Sequence, residues 1–219
     1  MGQRPTDTSP PSRSPAGARP RLVAVNAPTA PEAVVLVLHG GASRGAGSTV
    51  STTQLSVLRM VPVARRLAHA GGGRIVVRRL LNSHRGWDPG QSPVDDVVWA
   101  LDQTRQQHGD LPVGLVGHSL GGRAALLAGG SPGVRSVVAL NPWVDDEDDA
   151  DLTGRQVLVV VGDEDRIASP RRAVRVANRL GRRASVDVVT VVGGKHAMLR
   201  HGRAFEKAAA DFTQRTLLG

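Results

Sequence analysis

The sequence contains no cysteine and no tyrosine, and phenylalanine occurs only 2 times. The absence of cysteine excludes disulfide bonds, thiolate metal sites and a cysteine nucleophile in this chain. The scarcity of aromatic side chains leaves little from which to build a platform that stacks nucleic-acid bases. Any chemistry that the chain performs therefore has to rest on other nucleophiles, acids and bases.

Lysine is nearly absent too, although the formal net charge is +9. Only Lys195 and Lys207 are lysines, and the abundance of arginine, alanine, valine and glycine is what GC-rich codons produce. The charge is therefore weak evidence for a nucleic-acid partner, and we expect none. One alternative stays open, a basic stripe along a single helix, although a solvated helix face is the favoured interpretation. The stripe would consist of Arg172, Arg175, Arg179 and Arg182 or Arg183.

No apolar run approaches the ~18 residues that a membrane-spanning helix needs, so we expect no membrane partner. The first 20 residues lack the apolar core of a secretory signal and are rich in proline, serine and arginine. This composition predicts a disordered N-terminal tail over residues 1–20 and a cytoplasmic location. The remaining residues, 21–219, are enough for one domain with its own core.

Short apolar runs alternate with helical patterns from Leu22 onward. Several of the runs are continuous rather than alternating, which is typical of strands buried on both faces. The order predicts an α/β fold, a mostly parallel sheet of about seven strands with helices on both faces. Candidate strands lie at residues 22–26, 34–38, 74–79, 113–117, 137–140, 157–161 and 186–192, and candidate helices at 56–70, 93–108, 120–129, 170–180 and 205–217. The first two runs are too close for a helical crossover, which makes them candidates for an antiparallel pair.

A G-x-S-x-G pentapeptide from Gly117 to Gly121 joins a candidate strand to a candidate helix. In a nucleophile elbow, a serine lies on a sharp, strained turn with its Oγ exposed, and small residues let the chain segments pass closely. The following helix offers its N-terminus to developing negative charge. We interpret Ser119 as a nucleophile. The alternative is a glycine-rich turn whose serine has no chemical role.

A second glycine-rich turn, His39-Gly40-Gly41, directly follows the strand at residues 34–38. Acyl transfer needs backbone N–H donors for the oxyanion of the tetrahedral intermediate, and losing one donor costs about 3 kcal/mol. The N–H of Leu120 is one candidate donor, and the N–H of Gly41, or alternatively of Ala42, is the other. A phosphate-binding loop is the competing interpretation, but neither G-x-G-x-x-G nor a following Lys-Ser/Thr pair is present.

An acidic cluster and a histidine follow two later candidate strands. Asp163, Glu164 and Asp165 come after the sixth strand, and His196 follows the seventh. A serine hydroxyl needs a general base, and the base needs an orienting carboxylate. Because ligand sites assemble at the carboxyl ends of parallel strands, we expect Ser119, His196 and one acid to meet there. The loop position favours Asp165, since the chain can turn there toward the next strand, while Asp163 and Glu164 stay open.

Together these motifs resemble the α/β-hydrolase family, over the chain from Leu22 to about Leu217. The likeness is to small serine hydrolases without a lid, of the dienelactone-hydrolase or carboxylesterase type. Dienelactone hydrolases carry cysteine where this chain has Ser119. The resemblance implies a hydrolase without cofactor or metal, and the family's spacing between glycine and acid selects Asp165. The matching residues are His39-Gly40-Gly41, the pentapeptide around Ser119, Gly162 to Asp165, and His196.

The predicted function is that of a serine hydrolase that cleaves small acyl esters or thioesters through an acyl-enzyme intermediate. His196 accepts the proton of Ser119, Asp165 orients the imidazole, and the amides of Gly41 and Leu120 hold the oxyanion. The alternative is a non-catalytic module that keeps the fold and binds a small ligand.

Four further side chains are candidates for the substrate pocket because they lie near the predicted site. These are His39, His118, Trp87 and Trp143. The polar segment at residues 141–154 is too short for a lid domain, so we expect an open site that prefers short acyl chains. The sequence leaves the oligomeric state open.

Overall fold

The structure, a computed structural model, describes residues 19–41, 50–87 and 93–219. The predicted tail at residues 1–20, apart from Arg19 and Pro20, and the alternative donor Ala42 lie outside these ranges. Within the same ranges, no helix combines the length and apolar character that crossing a bilayer requires.

The strands form one 7-stranded sheet whose neighbours are parallel in every pair but one. In chain order they are β1 (Arg21–Ala24), β2 (Ala33–Leu38), β3 (Ile75–Leu81), β4 (Val113–His118), β5 (Val134–Leu140), β6 (Gln156–Gly162) and β7 (Ser185–Val191). Their order across the sheet is β1-β3-β2-β4-β5-β6-β7. The predicted α/β class with a mostly parallel sheet is therefore confirmed.

The first strand pairs with a different partner from the one expected. β1 is antiparallel, but it lies against β3, with Arg21 opposite Leu81, and not against β2. Asn26 explains the arrangement, because its Oδ1 accepts from the Val77 N–H at 2.7 Å and its Nδ2 donates to the Ile75 carbonyl at 2.9 Å. The short connection after β1 is thus fastened to β3. The fully buried β2 takes an interior place between β3 and β4.

Helices cover both faces of the sheet. They are α1 (Leu55–Leu58), α2 (Met60–Ala70), α3 (Pro93–His108), α4 (Leu120–Ala128), α5 (Pro170–Leu180) and α6 (Gly202–Leu218). One core layer includes Val97 of α3, Ala124 of α4 and Val176 of α5, and the other includes Met60 of α2 and Phe205 of α6. The single helix predicted over residues 56–70 is divided in two at Arg59.

The continuous valine and leucine runs of the central strands supply both core layers. Leu36 points into the layer with α3 to α5, and its neighbours Val35 and Val37 point into the layer with α2 and α6. Burying one such side chain stabilises the fold by about 1.5–3 kcal/mol. By contrast, β7 lies at the edge of the sheet, where Val188 and Val189 remain 38% and 40% exposed.

The segments that follow β2, β4, β5, β6 and β7 emerge at one edge of the sheet, where the chain carries its polar motifs. Between β5 and β6, residues 141–155 contain neither helix nor strand. This connection is therefore a loop, and it adds no helix or strand to the layers of the fold.

Candidate active site

Ser119 lies at the junction of β4 and α4 in a strained backbone conformation, with φ 55° and ψ −120°. A non-glycine residue with positive φ is uncommon and persists only where the surroundings hold it. The flanking glycines make this turn possible, because neighbouring backbone segments approach them too closely for a side chain. A Cβ on Gly117 would lie 2.1 Å from the carbonyl oxygen of Gly121, and a Cβ on Gly121 would lie 2.5 Å from that of His39. Only hydrogen fits at either position, so the pattern G-x-S-x-G is a steric requirement of this turn.

The three polar residues predicted to meet do meet at the sheet edge. His196 Nε2 lies 3.1 Å from Ser119 Oγ, and His196 Nδ1 lies 2.8 Å from Asp165 Oδ2. Both distances are within hydrogen-bond range. The imidazole therefore bridges a hydroxyl and a carboxylate, which is the arrangement by which a histidine can act as a general base toward a serine.

Asp165 is held by more than the histidine. Its Oδ1 accepts from the N–H groups of Ile167 and Ala168 at 2.8 and 2.9 Å. Burial alone raises the pKa of the Asp165 carboxyl, but the hydrogen bonds from His196, Ala168 and Ile167 outweigh it and leave this pKa below its ordinary value. The carboxylate is thus ionised at neutral pH. Asp163, the alternative acid, accepts instead from the Gly193 N–H at 2.7 Å.

Two buried side chains hold the backbone of the loop that carries His196. His118 Nε2–H donates to the His196 carbonyl at 2.8 Å, and Asn141 Nδ2 donates to the Lys195 carbonyl at 3.2 Å. Asn141 also accepts from the Gly162 N–H at 2.7 Å, which ties the loop to the end of β6. The sequence analysis missed Asn141. Its only signal is its place directly after β5, beside the other strand ends.

His118 is neutral in this site. Burial lowers its pKa to about 3, with further lowering by the nearby His196. Its ring centroid lies 4.9 Å from that of His196, and its Nδ1 has no hydrogen-bond partner among the described residues. A neutral imidazole here donates to the carbonyl of His196 without placing a second positive charge beside the base.

A cavity of about 310 Å³ opens beside the Ser119 side chain. Leu120 begins α4, so its N–H belongs to the first helical turn, where backbone donors have no partner within the helix. A Cβ on Gly41 would lie 3.0 Å from Leu120 Cδ1, so the two proposed donors are adjacent. The residues that line the cavity include Gly41, His118, Ser119, Leu120, Trp143 and His196.

Of the four candidate pocket residues, His118 and Trp143 line this cavity, whereas His39 and Trp87 do not. His39 is 3% exposed, with Nδ1–H donating to the Gly40 carbonyl at 2.6 Å and Nε2 accepting from the Asn82 N–H at 3.2 Å. Desolvation lowers its pKa. His39 therefore braces the turn after β2.

Trp87 packs under an arginine that the sequence analysis missed. The Arg123 guanidinium carbon of α4 lies 4.2 Å from the Trp87 ring centroid and 5.7 Å from that of Trp143. Arg123 also pairs with Asp145 and Asp148 at 2.8 and 2.7 Å. Arg123 thereby links the helix after Ser119 to the loop that carries Trp143. The only feature of the sequence that could have pointed to Arg123 is its position four residues after Ser119.

The basic stripe of α5 faces the acidic loop after β5 and not open solvent alone. Arg175 pairs with Asp146 at 2.8 Å, and Arg183, just beyond the helix, pairs with Asp149 at 3.1 Å. Arg172 lies 3.4 Å from Asp146. These arginines have carboxylate partners within the same chain, a complementarity that the sequence analysis did not identify.

A match to a family model gives evidence on the class of this protein that is independent of the site geometry. The model describes the alpha/beta hydrolase fold and matches residues 34–173, from β2 into α5. The chain belongs to the alpha/beta hydrolase fold family. No similar sequence was found among curated proteins.

Solved structures of several other proteins share the architecture. A serine hydrolase without a lid, XC6422 from Xanthomonas campestris, has 19% identity and a TM-score of 0.67, over 91% of this chain and 89% of that one. Est1E from Butyrivibrio proteoclasticus, in a structure with ferulic acid, has 16% identity and a TM-score of 0.68, over 91% and 96%. A serine hydrolase homologue from Coxiella burnetii has 19% identity and a TM-score of 0.65, over 88% and 89%. At these identities the likeness is one of fold.

The family match and the geometry of the site both indicate a hydrolase. Ser119, His196 and Asp165 form a hydrogen-bonded chain at the edge of the sheet, beside a cavity of a size that suits a small molecule. Such an arrangement can activate a hydroxyl for attack on a carbonyl carbon. The fold by itself leaves the substrate undetermined.

Proposed function

We propose that this protein is a serine hydrolase that cleaves small acyl esters or thioesters through an acyl-enzyme intermediate. The single observation that carries the proposal is the continuous chain of hydrogen bonds from Ser119 Oγ through His196 to Asp165. A hydroxyl is a weak nucleophile at neutral pH, and a histidine within hydrogen-bond reach is the group that can remove its proton.

In the first half of the reaction, His196 Nε2 takes the proton of Ser119 as Oγ attacks the carbonyl carbon. The negative charge that develops on the carbonyl oxygen is stabilised by the N–H groups of Leu120 and Gly41, each worth about 3 kcal/mol in such sites. Asp165 holds the imidazole in the required tautomer and stabilises the imidazolium. The tetrahedral intermediate then expels the alcohol or thiol, which receives the proton from His196.

In the second half, His196 takes a proton from water, and the resulting hydroxide attacks the acyl group on Ser119. Collapse of the second intermediate releases the carboxylic acid and returns the proton to Ser119 Oγ. No cofactor or metal takes part in the proposed cycle. A cytoplasmic location and the absence of nucleic-acid and membrane partners stay predictions from the sequence.

The loop at residues 141–155 supports a preference for short acyl chains, because it contributes no helix that could cover a long one. Ferulic acid, the ligand named for the Est1E structure, is a reason to include esters of aromatic acids among the substrates tested. The panel should therefore vary acyl length, aromatic acyl groups and the leaving atom, oxygen or sulfur.

The test compares the wild type with Ser119→Ala on p-nitrophenyl esters of short acids. We expect the variant to lose at least about 10³-fold in kcat, because the nucleophile is absent, while its melting temperature changes little. A fluorophosphonate probe should label the wild type at Ser119 and leave the variant unlabelled. Wild-type turnover by a folded Ser119→Ala variant would contradict the mechanism, and a wild type that neither labels nor hydrolyses would favour a ligand-binding module.

A further inference from the structure

Arg59 is a polar side chain of the candidate active site to which the proposed mechanism gives no role. It lies at the break between α1 and α2, where it ends the first helix and begins the second. Its side chain lines the cavity that contains Ser119 and His196, and it also lines a neighbouring groove of about 740 Å³ with Leu55, Leu58 and Leu199.

The guanidinium of Arg59 has no anionic partner among the residues that the structure describes. Its Nε is buried and makes no hydrogen bond with the described part of the chain. Glu206, which lines the neighbouring groove, forms no ion pair with it within the described chain. Arg123 and Arg172, by contrast, have carboxylate partners at 2.7 and 3.4 Å. Arg78 also has a buried Nε without a hydrogen bond among the described residues, but it does not line the cavity that contains Ser119.

An unpaired guanidinium next to a reaction cavity is unfavourable for folding. Desolvation lowers the pKa of Arg59, which is the sign of a charge that lacks compensation. Arginine nevertheless stays protonated at neutral pH, so the positive charge persists in the cavity wall. A ligand with a complementary charge would relieve this cost on binding.

We propose that Arg59 binds a carboxylate carried by the substrate, so that esters bearing a carboxylate are the preferred substrates of this site. The inference rests on the proposed function, which it narrows to a class of substrate. It places one charged group of the substrate at Arg59 while the scissile carbonyl lies at Ser119, within the same cavity.

A carboxylate fits this site better than a phosphate does. Two oxygens of a carboxylate match the planar fork of a guanidinium and carry one negative charge for its one positive charge. Apart from the two histidines, Arg59 is the only basic side chain in the described lining of the cavity. A phosphate dianion would need further donors that the Ser119 cavity reserves, in the proposed mechanism, for the oxyanion.

The competing role for Arg59 is direct stabilisation of the oxyanion. The two roles differ in a measurable way, because an oxyanion forms with every ester, whereas a carboxylate is present only in some. Loss of an oxyanion contact lowers kcat/KM for charged and neutral esters alike. Loss of a carboxylate contact lowers kcat/KM selectively for charged esters. The ratio between matched charged and neutral substrates therefore separates them.

The experiment uses two matched substrate pairs that place the charge on opposite sides of the scissile bond. One pair is p-acetoxybenzoate and its methyl ester, and the other is the p-nitrophenyl half-ester of adipic acid and its methyl diester. In Arg59→Met, we expect the charged-to-neutral ratio of kcat/KM to fall about tenfold in at least one pair, the size of effect typical of one charge-assisted hydrogen-bonded contact. Arg59→Lys should retain more of the ratio than Arg59→Met.

Arg66→Met is the matched control, because Arg66 is an exposed residue of the same helix and lies outside the cavity lining. It removes the same charge, so it reports any general attraction of anions by the net charge of +9. We expect Arg66→Met to change the ratio by less than about twofold. A fall of less than about threefold in both pairs for Arg59→Met overturns the proposal, as does an equal fall for Arg66→Met.

A binding measurement keeps this inference separate from the proposed function. Adipate titrated by calorimetry should bind Arg59→Met about tenfold more weakly than the wild type, whether or not any ester is turned over. Equal affinity for the two proteins overturns the carboxylate site. Loss of ester hydrolysis in all proteins with retained adipate discrimination would overturn the hydrolase function and leave the carboxylate site standing.

Discussion

Asp163 and Asp165 lie two residues apart after β6, but their carboxylates have different partners. Asp165 Oδ2 lies 2.8 Å from His196 Nδ1, whereas Asp163 accepts from the Gly193 N–H. Asp163 thus holds the start of the loop that carries His196, and Asp165 orients the imidazole itself. Glu164 takes neither position, since its carboxylate lies 3.7 Å from Lys195 Nζ.

This difference predicts unequal effects of the same substitution. Asp165→Asn should lower kcat on a p-nitrophenyl ester by at least about a hundredfold, because loss of the orienting carboxylate costs about 10⁴ in one well-characterised triad. Asp163→Asn should cost less than about tenfold. The two variants are each other's control, with folding checked by circular dichroism. A larger loss in Asp163→Asn would transfer the orienting role to Asp163.

The buried His118 predicts a pH dependence of stability. Its pKa is about 3 in the folded protein, whereas an unperturbed histidine has a pKa of about 6.5. Between these values the unfolded chain therefore binds the proton and the folded protein does not. Stability from this residue is therefore fully present above the unfolded pKa and declines as the pH falls below it. This is the reverse of a histidine that gains an anionic partner.

Between about pH 6.5 and 4.5, this residue should cost the wild type about 2 kcal/mol of unfolding free energy. In His118→Gln, whose amide can still donate to the His196 carbonyl, that component of the pH slope should disappear. Urea unfolding at several pH values measures both slopes, and comparing slopes removes any constant effect of the substitution. Parallel slopes would mean that His118 is protonated in the folded state.

Some residues of the candidate site can be predicted from the sequence, and others cannot. Ser119, His196 and Asp165 each follow a strand, and parallel strands bring their ends to one edge, so the pattern alone was enough to predict that they meet. Arg59 and Asn141 could not be identified in this way. The significance of Arg59 depends on the absence of a partner in three dimensions, and that of Asn141 on which loop returns to the end of β5.

At the scale of elements, the acidic loop at residues 145–149 is fastened from two sides. Arg123 of α4 contacts it from within, with a side chain only 11% exposed, and Arg175 of α5 contacts it from outside, 59% exposed. Breaking an inner, desolvated pair leaves a carboxylate unpaired, whereas an exposed pair is largely screened by solvent. The loop in turn carries Trp143 into the cavity wall.

Arg123→Met should therefore lower the free energy of unfolding by about 2–4 kcal/mol. Arg175→Met, which removes the same charge at an exposed position, should lower it by less than about 1 kcal/mol. Urea denaturation of both variants at one ionic strength gives the comparison. Equal losses would indicate that the inner and outer pairs are equally hydrated.

The elements themselves were predictable to different degrees. Continuous valine runs identified the central strands, because a strand buried on both faces has no polar side to show. The pairing of β1 with β3 was not predictable from spacing. It depends on two hydrogen bonds of Asn26 to the backbone of β3, which carry the chain past β2. The break of the helix at Arg59, by contrast, has a signal that the sequence analysis did not use. Pro62 lies in the first turn of α2, and a proline there cannot continue the hydrogen bonding of α1, because it has no N–H to donate to the Leu58 carbonyl.

At the scale of the whole molecule, the net charge of +9 is distributed unevenly. The arginines of α5 face the acidic loop, so part of the positive charge is neutralised within the fold. Arg59 instead leaves its charge in the wall of the cavity. The electrostatic attraction of the molecule for small anions is therefore expected to be concentrated at the site and weakened by added salt.

The edge strand β7 has a consequence for how the protein behaves in concentrated solution. One side of β7 pairs with β6, and its sequence, SVDVVTV, holds a single charged side chain, Asp187. Exposed, β-branched edge strands invite pairing with another molecule, and a charge on such a strand opposes it. Asp187→Val should therefore raise light scattering at high concentration, whereas Asp211→Val on α6 should not. On this view one carboxylate protects the purified protein against association during storage, and unchanged scattering would show that the edge is protected by other means.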